Sequence, residues 1–102
     1  MDKLKKNHRD VLEALDDYKS RFRQSSYDLH PHIIADEKQH HYQFLWMGWK
    51  GAEQIFNVPI HIELIDNKIW IQRDNTEVGI ANLLVEKGIP KSDIVLAYFP
   101  KE

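Results

Sequence analysis

Histidine is the residue type with the most chemistry to offer in this sequence, which has six histidines among its 102 residues. His30 and His32 lie two apart in a strand-like run, which would point both side chains to one face. His40 and His41 lie in or beside the next turn, and carboxylates such as Asp36 lie nearby. A closed metal site needs about four such ligands. No recognised ligand spacing is matched, so we predict no metal site and no cofactor.

Catalytic motifs are absent from the sequence. There is no cysteine, no G-x-S-x-G elbow and no glycine-rich phosphate loop. The carboxylates are scattered, and Ser92-Asp93 resembles a local cap rather than part of a triad. We therefore predict that the protein is not an enzyme. A hydrolase is the weaker alternative, and it requires a concave polar pocket with strongly perturbed titratable groups.

Length and charge restrict the remaining classes. A chain of 102 residues is predicted to form one domain, residues 1–102, with a core of its own. Fourteen basic and sixteen acidic side chains leave a net charge of −2, which argues against a strongly basic nucleic-acid surface. No stretch is apolar enough for a signal sequence or a membrane span, so we expect a soluble, cytoplasmic protein.

A long helix is predicted at the start of the chain, from about Asp2 to Arg23. A mostly apolar residue recurs there at alternating spacings of four and three, which places the repeat on one helix face. The repeat consists of Leu4, His8, Val11, Leu15, Tyr18 and Phe22. Packing of this face on the protein's own sheet is preferred over self-association, because three turns are too few for a coiled coil.

Four strand-like runs follow: "YDLHPHIIAD", "HYQFLWMGWK", "QIFNVPIHIELI" and "KIWIQRD". Pro31 predicts an edge position for the first. "NTEVGIANLLVEKGIP" predicts a second helix, capped at Asn75 or Thr76 and ended by Gly88 and Pro90. "DIVLAYF" is then a fifth strand, buried on both faces. The fold class is α+β, with a mostly antiparallel, twisted sheet of about four to five strands.

The turn Asp66-Asn67 determines which side chains share a face of the sheet. A two-residue turn there pairs Ile65 with Lys68, Leu64 with Ile69 and Ile62 with Ile71. The predicted core face consists of Phe56, Val58, Ile60, Ile62, Leu64, Ile69 and Ile71. The opposite face then carries His61, Glu63, Trp70 and Gln72. The second strand adds either Phe44 and Trp46, or Leu45, Met47 and Trp49, to that opposite face.

A tryptophan on the face opposite the core requires an explanation. Aromatic anchors ringed by polar groups are typical of protein-binding hot spots. The candidate partner-binding residues are therefore Trp70, Gln72, His61, Glu63, Trp46 and Trp49. The alternative is that the long helix covers this face and Trp70 belongs to an ordinary core.

DNA binding is a further alternative, because "VGIANLLVEKGIPKSDIVLAY" has the outline of a helix-turn-helix. Its second run offers only Lys91, Ser92 and Asp93 before it becomes apolar and β-branched, which favours a strand. A DNA-binding accessory factor would use the 75–98 region or four basic residues of the first helix. These are Lys3, Lys5, Lys6 and Arg9.

The second half of the chain resembles a known family. "NKIWIQRDNTEVGIANLLVEKGIPKSDIVLAYF" is similar to the signature half of the XisI-like family, the fdxN-element excision controlling factors of cyanobacteria. "HYQFLWMGWKG" and "IHIELIDNKIW" resemble the family's preceding strands, and "MDKLKKNHRDVLEAL" resembles its leading helix. The resemblance covers almost the whole chain.

The resemblance implies a small α+β accessory protein without a catalytic motif. Such a factor is needed, with a partner called XisH, for the timed excision of a DNA element by a separate recombinase. The partner resembles a nuclease-fold protein. We therefore expect a XisH-like partner for this chain, with a homodimer as the alternative association.

Overall fold

The computed structural model describes residues 2–22 and 28–99. The predicted helix end at Arg23 and the predicted strand start at Tyr27 lie outside these ranges. The described elements are α1 (Lys3–Ser20), β1 (Asp28–Asp36), β2 (His41–Lys50), β3 (Glu53–Ile65), β4 (Lys68–Asp74), α2 (Ile80–Glu86), a 3₁₀ turn (Lys91–Asp93) and β5 (Ile94–Leu96).

The strands form one sheet in the order β1-β2-β3-β4-β5, antiparallel except for the parallel pair β4–β5. A parallel pair needs a crossover connection, which α2 supplies, whereas the other pairs are joined by short turns. The predicted α+β class is confirmed. Pro31 lies on the edge strand β1, as predicted, where its missing N–H costs least.

The hairpin between β3 and β4 has the predicted register. Asp66 and Asn67 have φ values of 50° and 62°, the left-handed backbone that a two-residue hairpin turn requires. Ile65 pairs with Lys68, and the two further predicted pairs are also present. The side chain of Asn7 in α1 donates to the carbonyl of Asn67 at 3.2 Å, which ties this turn to the helix.

Both helices pack on the same face of the sheet, which we call the covered face. The interpretation of α1 as a helix packed on its own sheet is therefore correct. Asp2 caps the start of α1 by accepting a hydrogen bond from the backbone N–H of Leu4. The buried core joins residues of both helices to alternate residues of the strands. It includes Val11, Ala14, Leu15, Tyr42, Phe44, Ile60, Ile62, Ile69, Ile71, Leu83 and Leu84.

Two predicted members of the core face are not part of the core: Phe56 lies on the opposite side, and Val58 lies in a β-bulge. Phe56 pairs with Met47 and is 70% exposed. The register shifts at a β-bulge, because Val58 and Pro59 together oppose a single residue of β2. The extra residue reverses the alternation of side chains along β3. Proline cannot donate a ladder hydrogen bond, so a bulge is where it is tolerated in this central strand.

The predicted start of the second helix also requires correction. α2 begins at Ile80 and not near Asn75, because Asp74 holds the intervening loop in another conformation. Its Oδ1 accepts hydrogen bonds from the backbone N–H and hydroxyl of Thr76, at 2.9 and 2.6 Å. Its Oδ2 accepts from the N–H of Ile80 at 2.7 Å. The carboxylate therefore satisfies donors at the helix start from outside the helix.

The fifth strand is present but is neither long nor buried on both faces. β5 contains only Ile94–Leu96 and lies at an edge of the described sheet. Leu96 is 40% exposed, while Ile94 and Val95 are half-buried. An apolar run predicts burial, but an edge strand has a neighbour on one side only.

Candidate partner-binding face

The face of the sheet opposite the helices, which we call the bare face, has no described helix packed on it. The alternative in which the long helix covers Trp70's face is therefore wrong, since α1 lies on the other side. The strand registers assign these side chains to one face. The bare face includes Ile34, His41, Gln43, Leu45, Met47, Trp49, Phe56, His61, Glu63, Trp70, Gln72 and Val95, and the same registers add His30, His32, Asp36 and Arg73.

The three tryptophans divide between the two faces. Trp46 lies on the covered face, where its ring is 4.9 Å from that of Phe22 and 5.8 Å from that of Phe44. Trp49 and Trp70 lie on the bare face. Five of the six candidate residues therefore share one face, and Trp46 does not belong with them.

Large apolar side chains are exposed on the bare face. Phe56 is 70% exposed, Trp49 47% and Ile34 46%. Phe56 pairs with Met47 across β2 and β3, so it lies beside Trp49 near the end of this hairpin. Isolated exposed apolar residues are common, whereas several on one face of a sheet are typical of contact surfaces.

A chain of polar side chains crosses the middle of the bare face, from β2 through β3 to β4. The Nε2 of Gln43 lies 2.9 Å from the Nδ1 of His61. The Nε2 of His61 lies 3.1 Å from the Nδ1 of His41. His41 Nε2 is 3.6 Å from one carboxylate oxygen of Glu63, whose other oxygen accepts from Gln72 Nε2 at 3.3 Å.

The surroundings of His61 disfavour the charged form of its imidazole. Burial lowers the pKa of His61, and the neighbouring His41 lowers it further. Glu63 opposes the shift by favouring the charged imidazole, but it does not reverse it. A neutral imidazole both donates and accepts, so each histidine can relay one hydrogen bond.

Trp70 presents its ring rather than its N–H. The indole Nε1 is buried and has no hydrogen-bond partner among the described residues. In the registers, Trp70 lies between Glu63 of β3 and Val95 of β5. A partner that approaches this face therefore meets the half-buried ring of Trp70, flanked by a carboxylate and an aliphatic side chain.

A second polar cluster, not anticipated from the sequence, lies beside an open cavity of about 240 Å³ near the start of α1. The hydroxyl of Tyr42 is 2.6 Å from the Nδ1 of His8, and the Nε2 of His8 is 2.8 Å from a carboxylate oxygen of Glu37. The only signal in the sequence is His8, a polar residue within the apolar repeat of α1. The cavity is lined by Leu4, Lys5, His8, Glu37, His40 and Tyr42.

The hydrogen bonds of Tyr42, His8 and Glu37 hold α1 against the sheet, and we call this cluster the clamp. When His8 donates from Nε2 to Glu37, its Nδ1 accepts from the Tyr42 hydroxyl. Burial raises the pKa of Tyr42, and the negative charges of Glu37 and Asp36 raise it further. A phenol held protonated in this way is a poor base and a poor nucleophile at neutral pH. The cluster joins α1 to β2 and to the turn that precedes it.

The histidines of the predicted strand and turn do not converge on a metal position. His30 instead lies 2.5 Å from the carboxylate of Asp28, while His41 contacts His61. Within residues 2–22 and 28–99, no group of three or more histidine, aspartate or glutamate side chains has a geometry that could hold a metal ion.

The helix-turn-helix outline and the basic residues of α1, both considered for DNA binding, have structural roles within the fold. The second run of the helix-turn-helix outline forms the 3₁₀ turn and β5, so it supplies no recognition helix. Three of the four basic residues considered in α1 are paired with carboxylates. Lys3 lies 3.2 Å from Asp93, while Lys6 and Arg9 lie 2.7 and 3.5 Å from Asp10.

This arrangement defines a small α+β protein whose open, mostly antiparallel sheet has helices on one face and a mixed aromatic and polar surface on the other. The XisI family, described as XisI protein, matches residues 1–102. The chain therefore belongs to the XisI family. No described helix is long and apolar enough to cross a membrane.

Two solved structures have the same fold. A XisI-like protein from Anabaena variabilis ATCC 29413 is 34% identical, with a TM-score of 0.85 over 95% of this chain and 88% of that one. The fdxN element excision controlling factor XisI from the same organism is 26% identical, with a TM-score of 0.80 over 97% and 95%. Both fit the cyanobacterial source that the resemblance implies. No curated protein matches the chain.

Proposed function

We propose that this protein is a non-enzymatic accessory factor that binds a XisH-like, nuclease-fold partner through its bare face and so controls site-specific DNA excision. Membership of the XisI family, and likeness to the excision controlling factor of A. variabilis, support a regulatory role. The observation that carries the proposal is the exposure of large apolar side chains on a face that no described helix covers.

The composition of the bare face suits a protein partner. An antiparallel sheet with one face in water normally alternates apolar and polar side chains cleanly. Here Trp49 and Phe56 are exposed where that alternation requires polar residues. Aromatic side chains supply large contact areas at low entropic cost, and they dominate the energetics of protein interfaces.

The polar residues beside these aromatic side chains suit the same role. Glu63 and Gln72 are hydrogen-bonded to each other, and Gln43 is hydrogen-bonded to His61. Side chains already held in place lose less conformational freedom when a partner binds. Groups of this kind fix the orientation of a partner, while the aromatic residues contribute most of the affinity.

The proposal is tested by co-expressing the chain with a XisH-like protein and sizing the purified complex by light scattering. Trp49→Ala should weaken the complex by about 2 kcal/mol, or roughly thirtyfold in Kd, if Trp49 is a hot-spot anchor. The matched control is Leu96→Ala. Leu96 is similarly exposed but pairs with Ile71, which places it toward the covered face.

The comparison of the two variants decides the outcome. Both should retain the circular dichroism spectrum of the wild type, because each truncates a partly exposed side chain. Loss of binding by Trp49→Ala with full binding by Leu96→Ala supports the proposal. Equal affinities for both variants would remove the bare face from the interface, and absence of any complex would refute the XisH-like partner.

A further inference from the structure

The contact between His41 and His61 joins two basic rings at the centre of the bare face. The Nδ1 of His41 and the Nε2 of His61 are 3.1 Å apart, a hydrogen-bond distance. Only one of these two nitrogens can carry a proton, because a hydrogen bond needs one donor and one acceptor. The contact therefore depends on how many protons the pair holds.

With both rings neutral, the hydrogen bonds run in one direction. Gln43 donates to Nδ1 of His61, and the Nε2–H of His61 donates to Nδ1 of His41. The Nε2–H of His41 then points to the carboxylate of Glu63, 3.6 Å away. Every member has a partner, and β2 is tied to β3 through side chains as well as through the backbone.

The pair can accept one further proton but not two. When His41 is protonated, His61 can accept from it by changing tautomer, and Gln43 can then accept from His61 by turning its amide. When both rings are protonated, two N–H groups face each other across 3.1 Å, and the contact must break.

The surroundings of the two rings differ. Asp36 of β1 lies opposite His41, and Glu63 of β3 lies beside it. Arg73 of β4 lies opposite His61. Burial and the neighbouring His41 lower the pKa of His61, and Glu63 opposes this shift, so we take His61 as the ring whose protonation breaks the pair.

We propose that the His41–His61 pair is a proton-operated latch in the bare face, which is closed at neutral pH and opens on acidification, releasing the partner bound there. The partner's release rests on the proposed function, whereas the latch is a property of the isolated chain. Opening frees Gln43 from its fixed position beside His61, so the surface loses the arrangement that the partner recognises.

The environment of His61 determines the pH range in which the latch opens. Burial and the nearby His41 lower the pKa of its imidazole. Opening therefore takes place below the ordinary histidine pKa of about 6.5. If the partner binds only the closed latch, its affinity falls by about tenfold for each pH unit below the pKa of His61.

The latch is tested by NMR titration of the histidine ring signals in the isolated protein. The midpoint of His61 should lie below about 6.5, the ordinary histidine value, and His61→Gln should change the titration curve of His41. If the two rings titrate independently, or His61 titrates at the ordinary value, the latch is refuted whatever the partner does.

The link to the partner is tested by measuring the affinity for a XisH-like protein between pH 7.5 and 5. Wild type and His8→Gln, a substitution in α1 away from the bare face, should lose affinity in parallel below the midpoint of His61, while the affinity of His61→Gln should change less with pH. The same slope for all three proteins refutes the link. No binding at any pH refutes the proposed function together with the link, and the titration still decides the latch.

Discussion

The two faces of one sheet differ in what their side chains do. On the covered face, Tyr42, Phe44 and Ile62 alternate along β2 and β3 and are fully buried. On the bare face, the intervening His41, Gln43 and His61 form a hydrogen-bonded chain that remains partly exposed. The same strands therefore supply a core on one side and an ordered surface on the other.

This difference predicts separate effects of the two faces on stability and on the proposed partner binding. Burial of apolar area is the dominant favourable contribution to folding, and in this sheet it is concentrated on the covered face. The bare face keeps exposed aromatic area, which contributes little to the stability of the isolated chain. Substitutions on the two faces should therefore affect different measurements.

The largest expected effect separates two isoleucines. Ile62→Ala removes a fully buried side chain from the covered face and should lower the free energy of unfolding by about 3–4 kcal/mol. Ile34→Ala makes the same chemical change on the bare face, where the side chain is 46% exposed, and should cost about 1 kcal/mol or less. Urea denaturation measures both, and equal losses would contradict the division between the faces.

A second pair compares tryptophans. Trp46→Ala should lower the free energy of unfolding by about 2 kcal/mol, less than a fully buried tryptophan, because Trp46 is only half-buried against Phe22 and Phe44. Trp49→Ala should change it by about 0.5 kcal/mol. Thermal unfolding of the two variants checks the order, and a larger effect at Trp49 would place that ring in the core.

The clamp at the start of α1 predicts a smaller loss. Tyr42→Phe removes the hydroxyl that bonds to His8 and should cost about 1 kcal/mol in chemical denaturation. Tyr98→Phe is the matched control, since Tyr98 is 40% exposed, and its effect should be close to zero. If the two losses are similar, the contact between His8 and Tyr42 does not stabilise the fold.

The smallest expected effect is a pH dependence that originates on the bare face. The pKa of His61 is lowered in the folded protein, so the unfolded chain binds more protons in this range. The associated stability is present above about pH 6.5, the unfolded value, and is lost as the pH falls through the folded value. Urea midpoints at pH 7.5 and 5.5 should differ less for His61→Gln than for wild type.

Local patterns in the sequence were sufficient for the β3–β4 hairpin. Asp66-Asn67 specify a two-residue turn, and the turn sets the pairs from Ile65–Lys68 onward. Alternation of isoleucines then identifies the covered face, because a one-residue slip would expose all of them. The family resemblance was also correct.

The face taken by β2 could not be predicted, because it depends on the bulge at Val58-Pro59. The actual turn is Gly51-Ala52, since Lys50 pairs with Glu53. Continued without a shift, that register would place Phe44 opposite Pro59, on the face of His61. The extra residue moves Phe44 opposite Ile60 and into the core.

Contacts between distant segments were also beyond the sequence. His8 and Tyr42 are separated by 34 positions, and only the packing of α1 on β2 brings them together. Asp74 was read as the end of a strand, although its carboxylate organises the loop before α2. His8 lies within the apolar repeat of α1 and Asp74 at the end of a strand, but hydrophobic periodicity does not identify the partner of a polar side chain.

The most direct test of the central claim, that the bare face binds the partner, is fluorine NMR of the chain labelled with 5-fluorotryptophan. The three tryptophan signals, assigned by single substitutions to phenylalanine, are followed while a XisH-like protein is added. We predict that the signals of Trp49 and Trp70 shift or broaden on binding while that of Trp46, on the covered face, stays unchanged. Binding that perturbs Trp46 alone, or none of the three, would contradict the account.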